Sequence, residues 1–213
     1  MAYGNKALEL WKYFIPVMVL KEKMNQICYY ETGPRFSPIS FGSHLNRLIE
    51  EVRRTEEKEK ILFLCIGSDR STGDSLGPLI GYKLEQNPQP DRRVIGTLSR
   101  PVHAVNLADT VEEIQKQYAN HVVIAIDASI GLREQVGTIS LGKGAIQPGL
   151  GVSKKLSKVG DIFITGVVGS GRCLEPNVLQ SIRLSMVMDL ADTICMGIYS
   201  SGVEMFSVAG DRV

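Results

Sequence analysis

The sequence has no pair of cysteines at C-x-x-C spacing; its four cysteines, Cys28, Cys65, Cys173 and Cys195, are scattered along 213 residues. That scatter argues against a structural zinc site and against a disulfide framework, and it fits a reducing cytoplasm. An excess of one charge is missing too. Twenty-four basic and 23 acidic residues leave a net charge of +1, and no Lys/Arg run is interleaved with aromatics, so nucleic acid is not an expected partner. Long apolar runs are absent. The stretch Tyr13–Leu20 is far short of the ~20 residues that cross a bilayer. It contains Pro16 and is followed by Lys21-Glu-Lys23 instead of a small-residue cleavage site, so neither a membrane span nor a signal peptide is expected. No phosphate-loop or dinucleotide fingerprint is complete, and no cofactor or metal is expected.

What is present is an apolar content of 44%, enough to bury a full core in a single domain. Residues 1–40 carry Pro16, Pro34 and Pro38 without a sustained period and are expected to be an N-terminal extension, packed on the domain or serving as a partner-binding arm. Residues 41–200 form one α/β domain in this scheme, and 201–213 a tail. Ile61 to Ile66 and Val122 to Ile126 are unbroken apolar runs of the kind that fill the middle of a parallel sheet. With Val94–Ser99 between them, they predict a mainly parallel, doubly wound sheet in which the first strand lies beside both the second and the third. Val136–Leu141 and Ile162–Thr165 supply two more strands. Helices are predicted from the N-cap candidate Ser43 to about Lys58, after Asp74, from Asp109 to about Tyr118, and from Glu175 to about Gly197. The last has an apolar stripe, Val178, Ile182, Met186, Leu190 and Ile194, that belongs to the core or to a homodimer face.

Chemistry concentrates at the ends of the first and third strands. The first runs into Gly67-Ser-Asp-Arg-Ser-Thr-Gly-Asp74, and the third ends on Asp127 followed by Ala128 and Ser129. Open α/β sheets bind ligands at the carboxyl ends of their strands, where the winding reverses. Two carboxylates meeting there in a partly dry cleft cannot both ionise cheaply; one holds a proton and acts as an acid while the other activates water. The alternative is that Asp74 caps a helix and Asp127 satisfies strand-end amides. His103, after the second strand, is placed near the same edge, as a corner residue, a proton shuttle or a third ligand beside the acids. Ser68 and Asp69 bond within their loop or to an extended peptide. Gly142–Val152, with four glycines and Pro148, reads as an irregular loop bordering a groove. The segment Gly166-Val-Val-Gly-Ser-Gly171 reads as a turn whose amides hold a carbonyl or anion.

Three segments in order, Gly67–Pro78, Ile126–Ala128 and Gly144–Ser153, resemble the bacterial germination protease family. Residues 43–197 or so are similar to its short, stand-alone relatives, the YyaC-type sporulation proteases. The resemblance implies a three-layer, phosphorylase/hydrolase-like α/β fold shared with hydrogenase maturation peptidases. It also implies an aspartic endopeptidase acting in the sporulating cell or spore on a protein substrate such as small acid-soluble spore proteins. The two aspartates held to be catalytic in that family fall on Asp74, in Thr72-Gly-Asp-Ser-Leu-Gly-Pro78, and on Asp127. Ser68, Asp69, Thr72, His103, Pro148, Gly149 and Gly151 then line the substrate groove. The chain is much shorter than the germination protease, and Asp74-Ser75 replaces the Asp-Glu of the nickel-sensing loop of the maturation peptidases, so nickel recognition is not implied. A non-catalytic binding module and a hydrolase of a small molecule or nucleoside are the alternatives on the same fold.

Overall fold

Lys60–Cys65 forms strand β2, an interior strand of a six-stranded sheet, and every side chain from Ile61 to Cys65 is buried. Burial on both faces explains the unbroken apolar run. The structure, a computed structural model, describes residues 27–148, 158–171 and 178–207, with side chains as far as Ser201. The sheet order is β1 (Ile27–Glu31), β5 (Thr138–Lys143), β6 (Ile162–Ser170), β4 (His121–Gly131), β2 and β3 (Arg92–Ile95). Strands β6, β4, β2 and β3 are parallel, and β5 and β1 continue the sheet antiparallel. As expected, the first strand of the parallel set pairs with both the second and the third.

Helices cover both faces. On one, α1 (Pro38–Glu56), α2 (Leu76–Glu85) and α5 (Leu184–Ser207) bury Leu45, Leu48, Ile80, Leu190 and Ile194 against Phe63, Ile124, Ile126 and Ile164. On the other, α3 (Leu107–Gln117) sets Leu107 and Ile114 against Leu62, Leu64, Ala125 and Phe163. The result is a three-layer α/β fold with a mostly parallel sheet. Among the described residues no helix is long and apolar enough to cross a membrane. Cys65 and Cys195 are buried and Cys28 is exposed, all three as free thiols; burial pushes the Cys195 thiol up to about 12.

Several boundaries differ from the sequence expectations. Residues 27–31, assigned to the extension, form edge strand β1, with Tyr29 in register with Ser140 of β5. Helix α1 starts at Pro38, not near Ser43; the Ser37 hydroxyl accepts the Ser40 N–H at 3.2 Å, and Pro38 suits a first turn whose N–H needs no partner. The helix predicted from Glu175 to Gly197 is interrupted at Ile182 and Arg183, between α4 (Val178–Ser181) and α5. Of its stripe, Leu190 and Ile194 are buried and Ile182 and Met186 pack partly buried against the same core, with Val187, Ala191 and Ile198 buried beside them.

The Gly166–Gly171 segment is not a turn, because β6 runs straight through it to Ser170. Its glycines serve packing instead. A Cβ on Gly166 would stand 2.7 Å from Leu76 Cδ2, and one on Gly169 2.1 Å from Ile182 Cδ1, so side chains from α2 and from the break between α4 and α5 press onto the bare strand. In the Gly142–Val152 loop, Gly142 and Lys143 belong to β5, and Ile146 bridges Val159. The apolar run 13–20, Gly149–Val152, Cys173, Glu175 and Pro176 lie outside the described residues.

Candidate active site

Strand β2 parts from β4 directly after the Ile66 N–H donates to the Ile126 carbonyl at 2.8 Å. The Gly67 N–H turns the other way, to the Val102 carbonyl at 2.7 Å. The loop then closes on itself. The Ser68 N–H donates to the Asp74 carbonyl at 3.0 Å, and the Asp74 N–H to the Ser71 carbonyl at 3.0 Å. Both the N–H and the hydroxyl of Ser75 donate to the Thr72 carbonyl, at 3.2 and 2.7 Å. Gly73–Ser75 is a single 3-10 turn leading into α2, which holds Asp74 at a helix entrance at the carboxyl end of its strand, as expected.

Gly67 makes this closure possible. Its φ is +138°, and a Cβ there would lie 2.0 Å from the Asp74 carbonyl oxygen. Gly67→Ala is therefore expected to lose about 2 kcal/mol of stability, measured by urea unfolding. An unchanged unfolding midpoint would show that the loop is not pinned in this way.

Asp127 lies within β4 and not just beyond it, because the strand continues to Gly131. It is in register with Thr165 of β6, which is in register with Ser140 of β5. Laterally paired residues share a sheet face, so a polar row crosses three strands at the level of Asp127. Thr165 and Ser140 are 5% and 8% exposed. The carboxylate bends back to accept the N–H of Ala128 on Oδ1 at 2.9 Å.

Electrostatics tie the two acids together. Burial pushes the Asp74 carboxyl up to about 6, against a smaller lowering by the Ser68 backbone N–H. Burial first, and then the negative charge of Asp74, hold Asp127 well above the ordinary carboxylate range, with the Ala128 N–H opposing them. The influence runs in one direction for a physical reason. Asp74 ionises first, while Asp127 is still neutral and exerts no charge; Asp127 must then ionise against an anion. Two acids distant in sequence thus share one electrostatic environment.

Among the other candidates, His103 comes to the same edge, because Val102 bridges Ile66 in parallel. Its backbone N–H donates to Asn106 Oδ1 at 2.8 Å, and its Nδ1 accepts the Val105 N–H at 3.3 Å. In the neutral ring the proton therefore sits on Nε2. Ser68 Oγ accepts the Arg70 N–H at 3.2 Å, a bond within the loop. Asp69 is exposed, Thr72 is half-buried and contributes its carbonyl, and Pro148 is buried. Gly149 and Gly151 lie outside the described residues. Among the described residues, no three His, Cys, Asp or Glu side chains gather as a metal site.

Two residues were not singled out from the sequence. Ser71 has a buried hydroxyl without a hydrogen-bond partner among the described residues; it sits in the unbroken polar run Ser68–Thr72, so no local signal distinguishes it. Thr165 was read as a strand end. Its signal was a hydroxyl closing the apolar run Ile162-Phe-Ile, but only the register places it beside Asp127.

Residues 38–197 match a family model described as "Protein of unknown function (DUF1256)". The chain belongs to this family. Within it, the sequence is 44% identical over 157 residues to "Uncharacterized protein YyaC" of Bacillus subtilis (strain 168), an alignment covering 74% of this chain and 77% of that protein. The YyaC-like character suggested by three short motifs is thus a property of most of the chain. Among solved structures, a NiFe hydrogenase maturation protease, HycI from Thermococcus kodakarensis KOD1, superimposes with a TM-score of 0.45 at 15% identity, covering 71% of this chain and 99% of that one.

Proposed function

We propose that this DUF1256 protein is an aspartic-type endopeptidase that hydrolyses a peptide bond in a spore protein, with Asp74 and Asp127 as its catalytic pair. The observation that carries the proposal is the placement of the two acids: β2 parts from β4 at Ile66, the loop after it holds Asp74, and Asp127 stands on β4 just past that parting, so that the charge of Asp74 helps Asp127 keep its proton. Ionised Asp74 takes a proton from the attacking water while Asp127 donates one toward the scissile carbonyl. Collapse of the tetrahedral species breaks the C–N bond, the amine leaves with a proton from the pair, and the carboxyl product retains the water oxygen. His103, with Nε2–H as its donor, and the Ser68–Thr72 loop border the groove. Pro148 is assigned to the same groove by the likeness of Gly144–Ser153 to the germination protease. The spore substrate rests on the likeness of Thr72–Pro78 and Ile126–Ala128 to the germination protease, and free thiols at Cys28, Cys65 and Cys195 suit a reducing cytoplasm.

The test is incubation of the purified full chain with a small acid-soluble spore protein and with a peptide library, in water enriched in oxygen-18. Discrete fragments are expected, and those that end at a newly formed C-terminus carry one heavy oxygen there by mass spectrometry. Intact substrates in both incubations would overturn the peptidase proposal in favour of a non-catalytic module or a small-molecule hydrolase.

A further inference from the structure

The parting of β2 from β4 leaves part of the sheet without a neighbour. Strand β4 continues to Gly131, whereas its pairing with β2 stops at Cys65 opposite Ile126. Two sets of backbone bonds fix the direction in which each β4 residue points its main-chain groups. The Ile126 carbonyl accepts from Ile66 of the β2 chain, whereas the Val123 carbonyl accepts the Asp161 N–H from the β6 side. Both main-chain groups of a strand residue point the same way, and the direction alternates along the strand. Ala128 and Ile130 therefore share the side of Ile126, where β2 has ended. The irregularity between β4 and β6 does not change this alternation. Ser129 pairs with Val167 and Ile130 with Gly169, so the extra residue is Val168 of β6.

Of the main-chain groups on the open side, the Ala128 N–H is taken by the Asp127 carboxylate. Among the described residues, no loop or turn bond engages the Ala128 carbonyl or either main-chain group of Ile130. Ala128, Ser129 and Ile130 are all partly exposed. The groups left over on this edge, the Ala128 carbonyl and the N–H and carbonyl of Ile130, call for an extended main chain, which supplies complementary groups at the repeat of about 6.6 Å per two residues.

We propose that the β4 edge from Ala128 to Gly131 is the docking strand for the substrate, and that the substrate binds as an extended polypeptide hydrogen-bonded through its backbone. This deepens the peptidase proposal and rests on it for the identity of the occupant. The edge begins at the residue next to Asp127, so a chain laid along it brings successive peptide bonds up to the acid pair. Backbone pairing carries little side-chain information, so the substrate class is an unfolded or locally extended segment and not a folded surface.

Amide hydrogen exchange by NMR on the full chain tests this in two steps. In the free protein, the Ile130 N–H is expected to exchange at least about tenfold faster than those of Ile126 and Ser129, which face neighbouring strands. Equal protection of all three would overturn the open edge. Reduced, carboxymethylated ribonuclease is then added to the Asp127→Asn variant, which binds without cleaving; the Ile130 amide is expected to slow at least about tenfold. An unchanged rate at saturating polypeptide would overturn the docking strand. The two proposals fail separately: oxygen-18-labelled fragments with an unaltered Ile130 amide sink only the docking strand, and a slowed Ile130 amide without fragments sinks only the peptidase.

Discussion

Asp127→Asn and Asp74→Asn are each expected to lower kcat for peptide hydrolysis by at least about 10³-fold, with the fold intact by circular dichroism. The two losses arise differently. Asn at position 127 keeps the shape and the Ala128 contact but removes the transferable proton; Asn at position 74 removes the base and, with it, the charge that keeps Asp127 protonated. The double variant is expected to be no worse than either single one, since the pair acts as a unit. Activity should rise as pH increases through about 6, where Asp74 ionises, and fall once Asp127 loses its proton at a higher pH. Full activity in either single variant, or a rate independent of pH between 5 and 8, would remove the pair from the mechanism.

The same substitutions are expected to stabilise the fold. Both carboxyls bind their protons more tightly in the folded chain than in the unfolded one, where an aspartate titrates near 3.8. Their contribution to stability is therefore complete below that value. For Asp74 it is lost as pH rises through about 6, and for Asp127 the loss continues to higher pH. Each tenfold change in proton affinity corresponds to about 1.4 kcal/mol, so relieving the raised Asp74 carboxyl is worth about 3 kcal/mol at pH 8 and close to nothing at pH 4; relieving Asp127 stabilises in the same direction. Urea denaturation of Asp127→Asn against the parent at both pH values measures it. A variant less stable than the parent at pH 8 would mean that the carboxylate is solvated or paired, contrary to its burial beside Asp74. Gain of stability with loss of activity is the pattern expected where a site is held under electrostatic strain.

The sheet centre was legible because it depends on burial alone. Ile61–Ile66 and Val122–Ile126 need no partner to be recognised, and their adjacency follows from the winding rule. The acids were legible because each ends such a run, although Asp127 proved to be inside its strand. Features set by contacts distant in sequence were hidden. Gly166 and Gly169 look like turn formers until Leu76 and Ile182 are seen against them, and β1 becomes a strand only because β5 offers an edge to pair with. Ser43 and Ser37 are both plausible caps; the choice fell to Ser37 because Pro38 behind it suits the first helical turn. Proline marks a helix start as readily as a break.

The loop carrying Asp74 is fastened by main-chain bonds, Gly67 to Val102, Ser68 to Asp74 and Asp74 to Ser71, and by glycines where a side chain has no room, Gly67 and Gly77 among them. The side chains of Asp69 and Arg70, both exposed, take no part in this fastening. Among descendants of one ancestral gene, those positions are free to drift and, in the proposed peptidase, to retune what is accepted while the acid stays where it is, whereas the two glycines are locked. Divergence of preference without loss of chemistry follows from a scaffold whose restraints reside in the backbone.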